Sequence, residues 1–335
     1  MTTRRRFIAI AAACAGAAPL APWAAVRGQS AVSVWKGQAL GALASMTLVH
    51  PDRALAQAQL QGCAAELERL ENIFSLYRPG SALSRLNAAG ELMHPPHELV
   101  ELLGFALSVA RDSGGAFDPT VQPLYRLYAD HFARPGAAAG GPSPRAIAGA
   151  LARVGFEAVE LRADRIRLRR PGMALTLNGV AQGFVTDRVA DRLRAAGFDD
   201  VLVDLGEARA LGHRADGRPW QAALADPRRP ARTLLELPLG DAAGALPALA
   251  TSAGAGTTFG PDPRLHHLLD PRTGRSANHH ASVSVGAARA TVADGLSTAL
   301  SVLVPEQARA LLARHPGARA WMVDAHGRVH AHGAA

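Results

Sequence analysis

Apolar residues recur along this chain with two periods. Between residues 54 and 73, Leu55, Leu60, Cys63, Leu67, Leu70 and Ile73 share one face at helical spacing, which predicts an amphipathic helix. Phe74-Ser75-Leu76-Tyr77-Arg78-Pro79 closes it with a turn, and residues 81–87 follow as a short helical piece. Pro95-Pro96 opens another helix over 97–112, since Pro suits a first helical turn, and Ser113-Gly114-Gly115 ends it. A further helix follows the turn at Asp118-Pro119, and the spacing predicts others over 146–154, 183–196 and 293–303, the last starting at Asp294. Alternating or short apolar runs predict strands. Two with a turn fill 31–50, and others lie at 158–161, 165–169, 175–177, 201–205, 220–225, 233–239, 282–286 and 320–323, with a short one after His266.

Strands and helices interleave without a long polar break, so residues 31–335 read as one compact α/β (mixed α+β) unit with mixed sheets and surrounding helices. Residues 134–144, rich in Gly, Ala and Pro, read as a surface loop within it. With 335 residues, 48% of them apolar, the chain is long enough and apolar enough to bury a full core.

Residues 1–30 have a different character. Thr3-Arg4-Arg5-Arg6-Phe7-Ile8 is a positive n-region of twin-arginine type, residues 9–20 are a short apolar run, and small residues near Ala24 and Ala25 suit cleavage. The expectation is an exported, periplasmic protein whose first 30 residues are a signal peptide. Cys14 sits in a poor lipobox, so lipid anchoring ranks second. Cys63 then has no partner for an internal disulfide and reads as a packing residue.

The net charge is +8, but Lys36 is the only lysine, and Arg4, Arg5, Arg6 and Arg27 belong to the leader, which leaves +4. The remaining charge is dispersed among acids, with few aromatics, which excludes a nucleic-acid footprint.

Four stretches carry candidate chemistry, each with a structural alternative. Residues 175–187 read as strand, Asn178-Gly179 turn and helix entry, a geometry that aims backbone N–H groups at an anion. Gly179, Ala181 and Gly183 would let a ligand touch the main chain, or would serve packing alone. Asp294 and Thr298 share a helix face one turn apart and offer oxygens suited to Mg²⁺; alternatively Asp294 caps its own helix. His266-His267 beside Asp270 can transfer a proton, or can be an exposed pair on an edge strand. Gly115-Ala116-Phe117-Asp118 can hold a ring and a polar group, or simply stop a helix. A Cys-x-x-Cys spacing typical of zinc is absent, as is a Gly-x-Ser-x-Gly elbow.

Taken in order, these residues resemble the bacterial FAD:protein FMN transferases of the ApbE family. The resemblance runs from about Val34 to Val304. It rests on Ser45-Met46, Phe74 to Tyr77, Ser81 to Asn87, Gly115 to Pro119, Asn178 to Asp187, Asp204-Leu205-Gly206, Thr251-Ser252, His267 to Gly274 and Ala293 to Thr298. It implies a fold holding FAD in a central cleft and transfer of its FMN half to a Thr or Ser hydroxyl of a membrane-bound or periplasmic respiratory subunit, releasing AMP. It also implies that Met46, Tyr77, Ala116, Phe117, Asp118, Asn178 and Leu268 contact FAD. The Ala181 carbonyl, Asp294 and Thr298 would hold Mg²⁺, the Ser297 carbonyl would assist, and His267 would act as base. Many members carry Lys where this chain has Gln182, and Gly-Gly-Asp where it has Gly206-Glu207-Ala208; a subgroup associated with nitrous-oxide respiration is similar at both places. Two other outcomes fit the same residues: an Mg²⁺-dependent FAD pyrophosphatase giving FMN and AMP, and a non-enzymatic, exported flavin-binding assembly factor.

Overall fold

Eight strands form one sheet whose order does not follow the chain. From one edge to the other they are Val329–His332, Arg319–Val323, Ser282–Ala287, Ala248–Ala253, Ala208–Leu211, Val201–Asp204, Ala42–His50 and Ala31–Ala39. The computed structural model describes residues 8–11 and 31–333. The leader reading of residues 1–7 and 12–30 therefore lies outside the described residues. Ile8–Ala11, within that same segment, pairs antiparallel along Gln221–Leu224.

Strand–helix alternation suggested mixed sheets, yet every ladder of this sheet is antiparallel. A parallel neighbour needs a crossover. Here the helices of the first half are one long excursion between His50 and Val201, and the chain returns antiparallel beside the strand it left.

Eight helices are described: α1 Arg53–Phe74, α2 Ala82–Ala89, α3 His97–Asp112, α4 Gln122–Phe132, α5 Pro144–Leu151, α6 Ala181–Ala195, α7 Ala290–Val302 and α8 Pro305–Leu312. The strand period divides the core between the two sheet faces. Val201 and Val203 join the main core beneath α1, α3, α6 and α7, while Leu202 points the other way. There it meets Trp220, Leu237 and Leu239 from the Trp220–Asp226 and Arg229–Leu239 hairpin.

The start of α1 is set by the Asp52 carboxylate, which accepts from the Leu55 N–H at 2.9 Å. Its buried stripe is Ala56, Leu60, Cys63, Leu67, Leu70, Ile73 and Phe74. Leu55 was expected on that stripe but is 42% exposed, because Ala56 takes the inward position in the first turn. Burial pushes the Cys63 thiol up to about 11, which keeps it protonated and fits a packing role.

Two local expectations are corrected. Leu175 to Leu177 joins no sheet. The Asn87 side chain takes the place of a neighbouring strand: its carbonyl accepts from the Leu175 N–H at 2.6 Å, and its amide donates to the Leu175 carbonyl at 2.8 Å. Pro119 supplies a further acceptor, for the Thr176 N–H at 2.7 Å. Helix α7 starts at Ala290, before the expected position, so Asp294 lies beyond its first turn and does not cap it.

The substitution Asn87→Ala leaves both Leu175 backbone groups without these partners. The expected loss is about 1–3 kcal/mol. Denaturant unfolding at constant slope would register it as a lower midpoint.

Candidate active site

Loops and helix ends beside the main core form a cleft that opens to solvent. Each wall comes from a different part of the chain. The turn between α3 and α4 supplies Ala116, Phe117 and Asp118; the entry to α6 supplies Asn178, Gly179 and Gln182; α7 supplies Asp294 and Thr298; and His267 and Leu268 close the far side.

Asp294 is 3% exposed, and one carboxylate oxygen accepts from the Gly183 N–H at 3.0 Å. The first turn of α6, which has no side-chain cap of its own, is thus closed from α7. Thr298 lies one turn further, with its hydroxyl 3.3 Å from Ser252 Oγ and 3.5 Å from the Gly179 carbonyl. A Cβ on Gly183 would lie 2.3 Å from the Ala290 carbonyl oxygen, and one on Gly179 would lie 3.0 Å from the Thr298 hydroxyl. Both glycines therefore bring α6 and α7 together, and Gly179 faces the cleft as well. Ala181 is the first residue of α6 and is buried beside these donors.

The His267 ring is oriented by a backbone group. Its Nδ1 lies 3.1 Å from the Thr257 carbonyl oxygen, which can only accept, so Nδ1 carries the proton and Nε2 is the acceptor nitrogen. His266 is not exposed, as an edge-strand pair would require: it is 3% exposed, with its ring against Gly254.

The Asp118 carboxylate is committed to the loop around it. It accepts from the Thr120 N–H at 2.7 Å, the Thr120 hydroxyl at 2.6 Å and the Phe156 N–H at 3.0 Å. Burial pushes its pKa up, against those hydrogen bonds. Gln182 packs on Gly206, whose φ of +108° and lack of a side chain both matter, since a Cβ there would lie 2.3 Å from the Gln182 amide nitrogen.

Eight of the residues expected at the site by resemblance therefore share one cleft: Ala116, Phe117, Asp118, Asn178, His267, Leu268, Asp294 and Thr298. Ala181 adjoins it. Met46 is fully buried in the sheet core and Tyr77 is 67% exposed, and neither lines the cleft. Tyr125 and Thr257 line it without having been singled out in the sequence. Tyr125 sat in an ordinary amphipathic helix, and the part Thr257 plays is carried by its backbone, which leaves no residue-type signal. Asp118, Asp204, Glu207 and Asp294 put four carboxyl groups in the wall, and no Lys or Arg is among its described residues.

A sequence profile described as the ApbE family matches residues 40–322. The chain belongs to the ApbE family. A FAD:protein FMN transferase of Treponema pallidum is 35% identical over 298 residues, covering 82% of this chain and 79% of that protein. Among solved structures, the flavin transferase ApbE from Vibrio cholerae superposes with a TM-score of 0.78 at 26% identity, covering 90% of this chain and 97% of that one. The apo form of Pseudomonas stutzeri flavinyl transferase ApbE gives 0.78 at 30% identity, covering 92% and 96%. This ApbE chain is an enzyme of the transferase class, with the mixed α/β fold of its relatives.

Burial pushes the His266 pKa below its ordinary value. The unfolded chain then binds more protons as pH falls through about 6.5, so stability declines in that window. The thermal midpoint should drop between about pH 7 and pH 5.5, above the carboxylate range, and drop less in His266→Gln.

Proposed function

We propose that this protein transfers the FMN moiety of FAD to a Thr or Ser hydroxyl of a partner respiratory protein, with Mg²⁺ as cofactor and AMP as the second product. The observation that carries this reading is the charge of the cleft. Four carboxyl groups and no cationic side chain line it among the described residues, so a pyrophosphate needs a divalent cation to sit there. The donor set fits one: the Asp294 carboxylate and the Thr298 hydroxyl, with carbonyls at the start of α6, are hard oxygens, and phosphate oxygens would complete the shell. When bound, Mg²⁺ supplies Lewis-acid neutralisation of the pyrophosphate oxygens.

The chain's own residues do the rest. Asp294 and Thr298 would hold the cation, with the Ala181 carbonyl as a further ligand. Phe117 and Leu268 offer apolar surface to the flavin or adenine ring, and Asn178 offers an amide. His267 Nε2, an acceptor because Thr257 holds the Nδ1 proton, takes the proton of the acceptor hydroxyl. That oxygen forms a bond to the FMN phosphorus, the bond from phosphorus to the bridging oxygen breaks, and AMP leaves with the bridging oxygen. The twin-arginine-type leader supports a periplasmic site of action, where respiratory subunits offer acceptor hydroxyls. No helix among the described residues is long and apolar enough to cross a membrane.

Purified protein, FAD and Mg²⁺ mixed with candidate acceptors should yield in-gel flavin fluorescence that survives denaturation. Asp294→Ala should abolish it, and His267→Ala should slow it by roughly 10²–10⁴-fold. FMN and AMP released without an acceptor would instead identify a pyrophosphatase. Tight FAD binding with no AMP under any condition would identify an assembly factor.

Gln182 places a neutral amide where a Lys would bring a positive charge to the cleft. Activity should therefore fall more steeply with added chelator in the native protein than in Gln182→Lys. Equal chelator profiles would remove Gln182 from the account.

A further inference from the structure

Neither α6 nor α7 has a capping side chain of its own. Each takes its cap from the other. Asp294 of α7 accepts from the Gly183 N–H of α6 at 3.0 Å. One turn along α6 from Gly183, the Asp187 carboxylate accepts from the Ala290 N–H at 3.0 Å, the Thr291 N–H at 2.9 Å and the Thr291 hydroxyl at 2.6 Å. The two contacts are crossed, the carboxylate of each helix closing the open N-terminus of the other.

Asp187 does not line the cleft, and the proposed chemistry does not use it. Its side chain is wholly buried between Arg209 at 2.8 Å and Arg289 at 3.2 Å. Asp191 shares the same two arginines, at 2.9 Å from each, but is 39% exposed and, among the described residues, makes no hydrogen bond to the α7 backbone. Ala290 precedes Asp294 by one helical turn, and Thr298 follows it by another. Whatever fixes Ala290 against α6 therefore fixes the height of both cation donors relative to the Gly179–Gln182 wall.

We infer that Asp187 is a positioning residue: by clasping the first turn of α7 it sets Asp294 and Thr298 in register to bind a divalent cation. This rests on the metal-dependent reading above. The hydroxyl–carboxylate contact at Thr291 makes the clasp adjustable without disturbing the buried charges, which separates positioning from stability.

The experiment titrates the full chain, with FAD present, with Mn²⁺ followed by electron paramagnetic resonance, alongside thermal melts. Asp187→Asn should weaken Mn²⁺ binding by roughly 10–100-fold, as losing a group that orients a metal ligand does. Thr291→Val should weaken it in the same direction with the fold intact. Asp191→Asn should lower the melting midpoint and leave Mn²⁺ affinity unchanged. If Asp187→Asn does not fold, Thr291→Val decides. Native affinity in Thr291→Val, or a loss in Asp191→Asn as large as in Asp187→Asn, would overturn the positioning role while leaving the metal site standing. No Mn²⁺ binding by the native protein would overturn the metal site itself, and this role with it.

Discussion

The close approach of α6 and α7 is the constraint on which the cleft depends. A residue larger than glycine at Gly183 would collide with the Ala290 backbone, so the two helices meet main chain to main chain. That contact lets a carboxylate from one reach the unpaired N–H groups of the other. Burying a carboxylate costs several kcal/mol unless its lone pairs are filled. Asp187 meets the condition with Ala290, Thr291, Arg209 and Arg289 around it. Arg209 reaches it from the strand Ala208–Leu211, so the same cluster ties the helix layer to the sheet.

The other walls are held by equally local means. Asp118 gathers its own loop and the Phe156 backbone, which presents Phe117 to the cleft. Thr257 fixes the tautomer of His267 with a carbonyl, a group that no substitution at that position removes. Gln182 and Gly206 fill each other's space at the junction of α6 with the Val201–Asp204 strand. The resulting surface is rich in acceptors, with no Lys or Arg among its described lining residues.

Much of this was readable before the structure. Helix α3 runs over the residues its Pro-Pro entry and Ser-Gly-Gly exit marked, and the strand pair in residues 31–50 is where alternation placed it. The ordered motif set located most of the cleft. The failures share a cause. Leu175 to Leu177 has strand-like residues, but its partner is a side-chain amide 88 positions away. The start of α7 was missed because its cap is Asp187, on another helix, and no residue near Ala290 announces it. The strand Ala208–Leu211, absent from the predicted elements, carries an arginine, and the carboxylates that make that arginine buriable are not its sequence neighbours.

The bond between Gly183 and Asp294 joins residues 111 positions apart. Both sides of this wall of the cleft therefore exist only after nearly the whole chain has been synthesised. A nascent chain stalled short of Asp294 has the glycine turn and the histidine but neither the cap on the first turn of α6 nor the α7 side of the cleft, so the cleft cannot be assembled piecemeal as the chain is made.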